Sequence, residues 1–508
     1  MIPAFTSRSL LSLAAWLGLA ANANCATTEP LPIQGRPVPQ LTAVDAFIRG
    51  FMEDDSRNIQ AGVVGISRGG RCIYLRAFGW LRAPVSSSDS GTPLPETALM
   101  RLASVSKVIT AATIHELDSD GTFGPQGLNR KAFDLNGNGG ILGIVPIGAP
   151  PAGVYADISL RHLLGHAGGF RRTDDPFGTL HDIANALGTP SPPTRQGLIR
   201  WRLGQPLADT PGAQSILSAP AGVDVYSNFG YHVLGEIAGT RAADGDLGFV
   251  SRRVLSPEHW IPSTEWAAGE SLQANTSPRE PHYQPSADGA TEPSVFPPYD
   301  QVPTPYGPFS LHLGLTSGGL IASAQAMLAF GNLYHCGYTA ATTAPMASDH
   351  MGSRIISATN PMIEGNNHTG GFQGTNTVIV QHPFSIGQAD DVVIYIAFSR
   401  IKPGEATAAD PGWDMLAHNG VMAALNALPA GGWPMESCDG LWMDPGGTDP
   451  SAGSGGYDRP FQTFQGTLNR VAAGSSLRLK PGSVAWTGTI AKRLRLDAPE
   501  GPVTLGQQ

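Results

Sequence analysis

The chain has 508 residues, 41% of them hydrophobic and 14% charged, with a formal net charge of −9. That is long enough for one large domain, or two to three ordinary ones, around a sizeable core. The acidic balance and the lack of any lysine/arginine run argue against a nucleic-acid footprint and against binding to an anionic membrane surface.

The N-terminus has the parts of a secretory signal. Arg8 supplies the positive charge, and Leu10 to Ala20 form an apolar stretch too short to span a bilayer. Ala21-Asn-Ala23 offers a small-x-small cleavage site. Residues 1–23 therefore read as a signal peptide cleaved near Ala23, predicting a secreted or periplasmic bacterial protein. Asn24 precedes Cys25 where lipidation wants a small residue, so Cys25 is not read as a lipid anchor. No later apolar run reaches the roughly 18 residues of a membrane span, so no transmembrane segment is expected in the mature chain. Export permits disulfides. Among Cys72, Cys336 and Cys438, one optional bridge is open, with Cys336 and Cys438 as the candidate pair.

Residues 24–42 are Pro-rich and polar, and read as a linker. Val44, Phe47, Ile48 and Phe51 share one face of a helix over 43–52. Ala61-Gly-Val-Val-Gly-Ile-Ser67, the turn at Gly69-Gly70 and Arg71 to Trp80 predict a β-hairpin. A helix carrying Ser104 and Lys107 runs to about Leu117 and stops at Asp118-Ser-Asp-Gly121. Residues 155–240 are helical in pattern, and 256–312, rich in Pro, Ser and Glu, read as a long surface loop or lid. Thr316 to Ser323 precede a helix through Met327 to Tyr334. Thr377–Gln381 and Asp391–Ser399 read as strands, and Trp413–Leu428 as a closing helix. A hairpin first, helices in the middle, then strands and a helix predict an α+β domain over 43–430, with an antiparallel sheet completed from both chain ends. A Gly-rich linker over 431–457 and a short β-rich extension over 458–508 follow. The extension resembles a single β-helix rung, too little to bury a core alone.

Ser104-Val-Ser-Lys107 carries the chemistry. Residues i and i+3 share a helix face, here within an apolar segment. Burial favours the neutral, basic amine, and a neutral amine beside a hydroxyl is a nucleophile with its base. Only five lysines occur in the chain, so a lysine inside an apolar helix stands out where arginine cannot give up its proton. The plain alternative is a snorkelling lysine on a half-exposed helix.

Two further segments bear on that choice. Tyr226-Ser-Asn228 heads the helical run Gly230-Tyr-His-Val-Leu-Gly-Glu-Ile237, and His368-Thr-Gly-Gly371 precedes the strand at Thr377. With Ser104 and Lys107 they resemble the three motifs of the serine β-lactamase and penicillin-binding-protein superfamily. The likeness is greatest to class C β-lactamases, D-alanyl-D-alanine carboxypeptidases and family VIII esterases. Leu160-Arg-His-Leu-Leu-Gly-His-Ala-Gly-Gly169, similar to the family's LLTHTSG stretch, and Ser317-Gly-Gly-Leu-Ile-Ala-Ser323 support the resemblance over about 43–430.

The resemblance implies a β-lactamase/transpeptidase-like fold, with a helical subdomain beside the sheet and Ser104 in the cleft between them. It implies that Ser104 attacks the carbonyl, that Lys107 is the base of acylation, and that Tyr226 relays a proton to the leaving group. Asn228 would hydrogen-bond Lys107 or the substrate amide. The N–H groups of Ser104 and Gly371 would form the oxyanion hole, within a substrate-binding strand that includes His368, Thr369 and Gly370. His368 departs from the Lys-Thr-Gly of most β-lactamases. A neutral imidazole can donate one hydrogen bond but offers no fixed charge to a substrate carboxylate. The implied activity is an exported serine hydrolase of ester or peptide-type amide bonds, acting on a small-molecule or peptide substrate with no metal and no cofactor. The alternatives are a β-lactamase proper and a non-catalytic relative that binds cell-wall peptide.

Other motifs weigh less. Ser399-Arg-Ile-Lys402 repeats the Ser-x-x-Lys spacing but ends a strand. Gly65-Ile-Ser-Arg-Gly69 matches a nucleophile elbow, yet lies in a hairpin where the elbow needs strand, turn and helix. His162 and His166 have zinc spacing without the intervening glutamate, and read as capping or core histidines. The loop at Asp134 begins like a calcium site but has Val145 where the final carboxylate belongs, so it reads as a Gly-rich turn.

Overall fold

A computed structural model describes residues 31–506 apart from 55–56, 58, 85–87, 136, 149–153, 216–217, 221, 283–290, 335–352, 356–364, 383–391, 401–411, 430, 435–439, 450–452, 454, 458–459 and 474. The signal sequence, Cys25, Cys336, Cys438 and Lys402 lie outside the described residues.

The centre is an antiparallel sheet of β1 (Ile33–Gln34), β2 (Ile59–Arg68), β3 (Arg71–Arg82), β4 (Ser353–Ile355), β5 (Gly365–Phe372), β6 (Thr375–His382) and β7 (Val392–Arg400), with Thr92–Pro93 added to β3. The order is β1-β3-β2-β7-β6-β5-β4. Strands from the two ends of the domain meet at β2–β7, where Ile394 faces Ile66 and Tyr395 faces Gly65. β2, β6 and β7 are buried along nearly their whole length, so both faces are covered.

Helices supply that cover. α1 (Thr42–Met52) and, at the far end of the domain, Gly412–Asn426 lie together on one face, where a Cβ at Gly420 would collide with the Phe47 ring. Ala324–Gly331 lies on the other face, and a Cβ at Gly65 would come within 2.9 Å of Leu328. Glycine is required at both positions because helix meets neighbour with no room for a side chain.

The helical subdomain is built on α2 (Ser106–Ser119), α3 (Leu160–Leu164), α4 (Leu180–Leu187), α5 (Arg195–Leu203) and α6 (Asn228–Arg241). α2 is buried on almost every side, and a helix covered all round belongs at the centre of a fold. Thr110 Oγ1 donates to the Thr316 carbonyl at 2.7 Å, and Thr316 Oγ1 to the Tyr231 carbonyl at 2.9 Å. These bonds tie α2, α6 and the turn before Leu320 into one unit.

Several stretches differ from the sequence-based expectation. Within the stretch read as a linker over 24–42, Ile33–Gln34 pairs with β3, because edge pairing needs only backbone. The described parts of the 256–312 segment are pinned rather than loose. Glu280 is fully buried against Arg101 with Nε–Oε1 at 2.6 Å, and Trp266–Ala268 pairs with Leu320–Ala322. Leu441–Met443, inside the stretch read as the Gly-rich linker, is a strand parallel to Ser476–Leu479, which is itself parallel to Arg495–Asp497. Gly482–Val484 pairs in parallel with Val503–Leu505. A short helix, Phe464–Arg470, joins this unit and helps to give it a core of Met443, Phe461, Phe464, Leu468, Val471, Leu477 and Leu479. The extension thus stacks successive rungs and buries its own cluster instead of standing as one rung.

Candidate active site

Ser104 lies in the single helical turn Ala103–Val105 that leads into α2. Ala103 has φ +46°, in the left-handed region that alanine rarely adopts. Strain of this kind persists where the surroundings hold it, and here they do so one residue before the serine. The Leu102 N–H donates to the Leu320 carbonyl at 2.9 Å, while the Leu102 carbonyl accepts from Thr377 Oγ1 at 2.8 Å. The turn is thereby pinned between the helical subdomain and the sheet.

Lys107, one helical turn on, is fully buried. Its Nζ lies 3.2 Å from Ser104 Oγ, 2.7 Å from Asn228 Oδ1 and 2.5 Å from the Ser317 carbonyl oxygen. Burial pushes its pKa down to about 7; Asp175 opposes that shift and Arg172 adds to it. A neutral amine has two hydrogens and one lone pair. The Asn228 and Ser317 oxygens can only accept, so they take both hydrogens, and the lone pair is left for the Ser104 hydroxyl.

Tyr226 stands just before α6, whose N-cap Ser227 accepts from the Gly230 N–H at 3.0 Å. The centre of its ring is 4.7 Å from Lys107 Nζ and 4.7 Å from the Arg172 guanidinium carbon. The Tyr226 hydroxyl is buried without a hydrogen-bond partner of ordinary geometry. Burial pushes its pKa well up; the nearby Ser104 hydroxyl favours the phenolate, although no formed bond joins the two. Of the two groups beside Ser104, Lys107 is therefore the one that can be unprotonated near neutral pH.

Asn228 is held from behind by Asp175. Its Nδ2 donates to Asp175 Oδ2 at 2.9 Å, and the Asn228 and Phe229 N–H groups donate to the same carboxylate at 3.0 and 2.9 Å. A carboxylate at a helix N-terminus suits both the unpaired N–H groups and the helix dipole. Burial nonetheless pushes the Asp175 pKa up, against these bonds and Lys107.

His166, with φ +53°, stacks on Tyr226 at 4.5 Å between ring centres. Its Nδ1 accepts from the Ser227 N–H at 3.0 Å, which places the proton of the neutral ring on Nε2. Burial first, and then Lys107 and Arg172 nearby, hold it well below the usual histidine range.

On the facing wall, β5 brings His368, Thr369, Gly370 and Gly371 past the Ser104 turn. A Cβ at Gly370 would collide with the Leu102 carbonyl and come within 3.0 Å of the Ser104 nitrogen. The turn Gln373-Gly374 makes Phe372–Thr375 the closing pair of the β5–β6 hairpin. Alternation then directs the N–H of exposed Gly371 away from β6. His368 is 7% exposed and its pKa is pushed down to about 3, by burial first and then by Lys107. Its Nδ1 lies 2.8 Å from the Thr369 carbonyl oxygen, which can only accept. The ring's one hydrogen is therefore spent on backbone, and Nε2 is a lone-pair acceptor. This corrects the expectation that His368 offers a donor to substrate.

The three motifs thus converge on one cleft. The competing motifs do not join them. Ser67, on β2, is buried and donates to Asn332 Oδ1 at 2.9 Å, and Ser399 is buried within β7. His162 completes a capping box with Ser159 at the start of α3. Asp175 and Arg172 had no motif to announce them, and Ser317 was named only within the Ser317–Ser323 stretch, with no role for its carbonyl.

A helical subdomain and an antiparallel sheet with a Ser-x-x-Lys pair between them make up the β-lactamase/transpeptidase-like fold. Residues 44–411 match the family described as Beta-lactamase, and the chain belongs to that family, within a superfamily of serine hydrolases. Similar solved structures include a β-lactamase/D-alanine carboxypeptidase from Yersinia pestis complexed with citrate, 14% identical over 76% of this chain and 97% of that one, with a TM-score of 0.47. A D-amino acid amidase from Ochrobactrum anthropi SV3 is 14% identical over 76% and 98%, with a TM-score of 0.46. A family VIII carboxylesterase is 14% identical over 77% and 98%, with a TM-score of 0.47.

Proposed function

We propose that this chain is an exported serine hydrolase that cleaves ester or peptide-type amide bonds through an acyl-enzyme on Ser104. The observation that carries the reading is the lone pair of Lys107, left for Ser104 by two oxygens that take the other positions on Nζ. Lys107 takes the proton of Ser104 as its oxygen attacks the carbonyl carbon. The oxyanion is met by the N–H groups of Ser104 and Gly371, the first at the head of α2 where the helix dipole favours negative charge. Tyr226, protonated in the resting enzyme, passes a proton to the departing group and recovers it through Lys107. Water then attacks the acyl carbon with the same groups in reverse. Export is supported by the apolar stretch and cleavage site of residues 1–23. Fluorophosphonate labelling followed by peptide mass spectrometry tests the reading. The expected adduct is on Ser104 and is lost in Ser104→Ala. An adduct on another serine, or none, would sink it. A panel of p-nitrophenyl esters, D-amino-acid amides and nitrocefin then separates esterase, amidase and β-lactamase chemistry.

A further inference from the structure

At the third motif the strand offers no cation, because His368 is neutral and its ring hydrogen is bound to the Thr369 carbonyl. The opposite side does offer one. The Arg172 guanidinium carbon lies 4.7 Å from the centre of the Tyr226 ring. Its charge also acts on Lys107, which places it within the field of the site. The Arg172 side chain is 60% exposed, so it stands open to solvent at the cleft rather than inside the fold. Its Nε faces Asp224 at 3.0 Å, and Asp224 is itself 55% exposed. No other ion pair or hydrogen bond of the guanidinium is found among the described residues. An exposed pair of this kind is weak. A guanidinium is also a fork that can hold a second carboxylate edge-on.

We propose that Arg172 binds a carboxylate carried by the leaving group of the substrate. It would do so from the helical side of the cleft, where His368 across from it has no charge to give. The assignment to the leaving group rests on the reading of Ser104 as nucleophile and of Tyr226 as the relay to the departing atom, since Arg172 lies against that ring. Asp224 then acts as an internal competitor that holds the guanidinium until an anion arrives.

The test uses a matched pair, 3-hydroxybenzoate and 3-hydroxybenzamide. Their binding to the full-length Ser104→Ala protein is measured by calorimetry, and kcat/KM for their acetyl esters is measured with Ser104 in place. In both measurements the benzoate:benzamide ratio is read, not either value alone. We expect the ratio to favour the carboxylate and to fall roughly 10- to 100-fold on Arg172→Gln. It should fall less on Arg172→Lys and rise on Asp224→Asn. A ratio that Arg172→Gln leaves unchanged in protein of unaltered Tm overturns the proposal, and so does a ratio near one before any substitution at Arg172. Binding selectivity that follows Arg172 while neither ester is hydrolysed would uphold the anion site and bring down the acyl-enzyme reading instead.

Discussion

The Asp175 carboxylate decides which way the Asn228 side chain points. By accepting from Nδ2 at 2.9 Å, it leaves Oδ1 facing Lys107 Nζ at 2.7 Å. The amide therefore presents an acceptor, not a donor, to the lysine. That choice lets two obligate acceptors claim both hydrogens of a neutral Lys107.

Asp175→Asn is predicted to disturb the site from a distance. An asparagine there keeps one acceptor oxygen, but it removes the negative charge that raises the Lys107 pKa. The acid limb of the rate profile should therefore move to lower pH, while kcat falls about 10-fold or more as Asn228 loses its orientation. Loss of the charged helix cap should cost on the order of 1 kcal/mol. A pH profile of kcat/KM checks this; a limb that moves to higher pH would refute the electrostatic argument.

The wild-type profile is itself a prediction. Lys107 must be neutral to take the serine proton, and its pKa is pushed down to about 7. Activity should rise with pH along a single acid limb centred near that value. His368, at about 3, lies too low to produce it. Lys107→Arg, which cannot give up its proton, should lose on the order of 10²- to 10⁴-fold in kcat, nearly as much as Lys107→Ala. Full activity in Lys107→Arg would mean that the base is elsewhere.

Local spacing made the core of this site legible, and long-range packing hid its support. Ser104 and Lys107 lie within one turn, so helical periodicity alone brings them together. Tyr226 and Asn228 were readable through the resemblance to the family's second motif, at the head of a predicted helix. Asp175 sits more than fifty residues before the helix it caps, with no periodic pattern pointing to it. His166 was read as a capping or core residue, although it lies in the Leu160–Gly169 stretch that supports the resemblance; the fold places it against Tyr226. The helix Phe464–Arg470 was missed because seven residues with a glycine at the third position show too little periodicity to stand out.

His368→Lys is predicted to act on both charge and selectivity. A second ammonium beside Lys107 disfavours protonation of the first, so the acid limb should fall below its wild-type position. The variant also gains a donor where the wild-type ring presents only an acceptor. The kcat/KM ratio of a carboxylate-bearing ester to a neutral ester of the same acyl group should rise about 10- to 150-fold. If both the limb and the ratio stay where they were, His368 does not face the substrate.

Tyr226→Phe should separate stability from catalysis. The Tyr226 hydroxyl is buried without a formed hydrogen bond, and leaving such a group unsatisfied costs about 1–3 kcal/mol. Phenylalanine keeps the ring contacts with His166, Lys107 and Arg172 and removes the unpaired oxygen. The variant is therefore expected to be more stable by roughly 1 kcal/mol. If Tyr226 relays the proton to the leaving group, kcat should meanwhile fall on the order of 10²-fold or more. The fall should be smaller for p-nitrophenyl esters, whose leaving group departs without protonation, than for amides, which require it. Denaturant unfolding and a comparison of the two substrate types check both halves. A destabilised Phe variant would mean that the hydroxyl has a partner in the resting enzyme. Equal losses on ester and amide would mean that Tyr226 acts on the attacking serine instead of on the departing group.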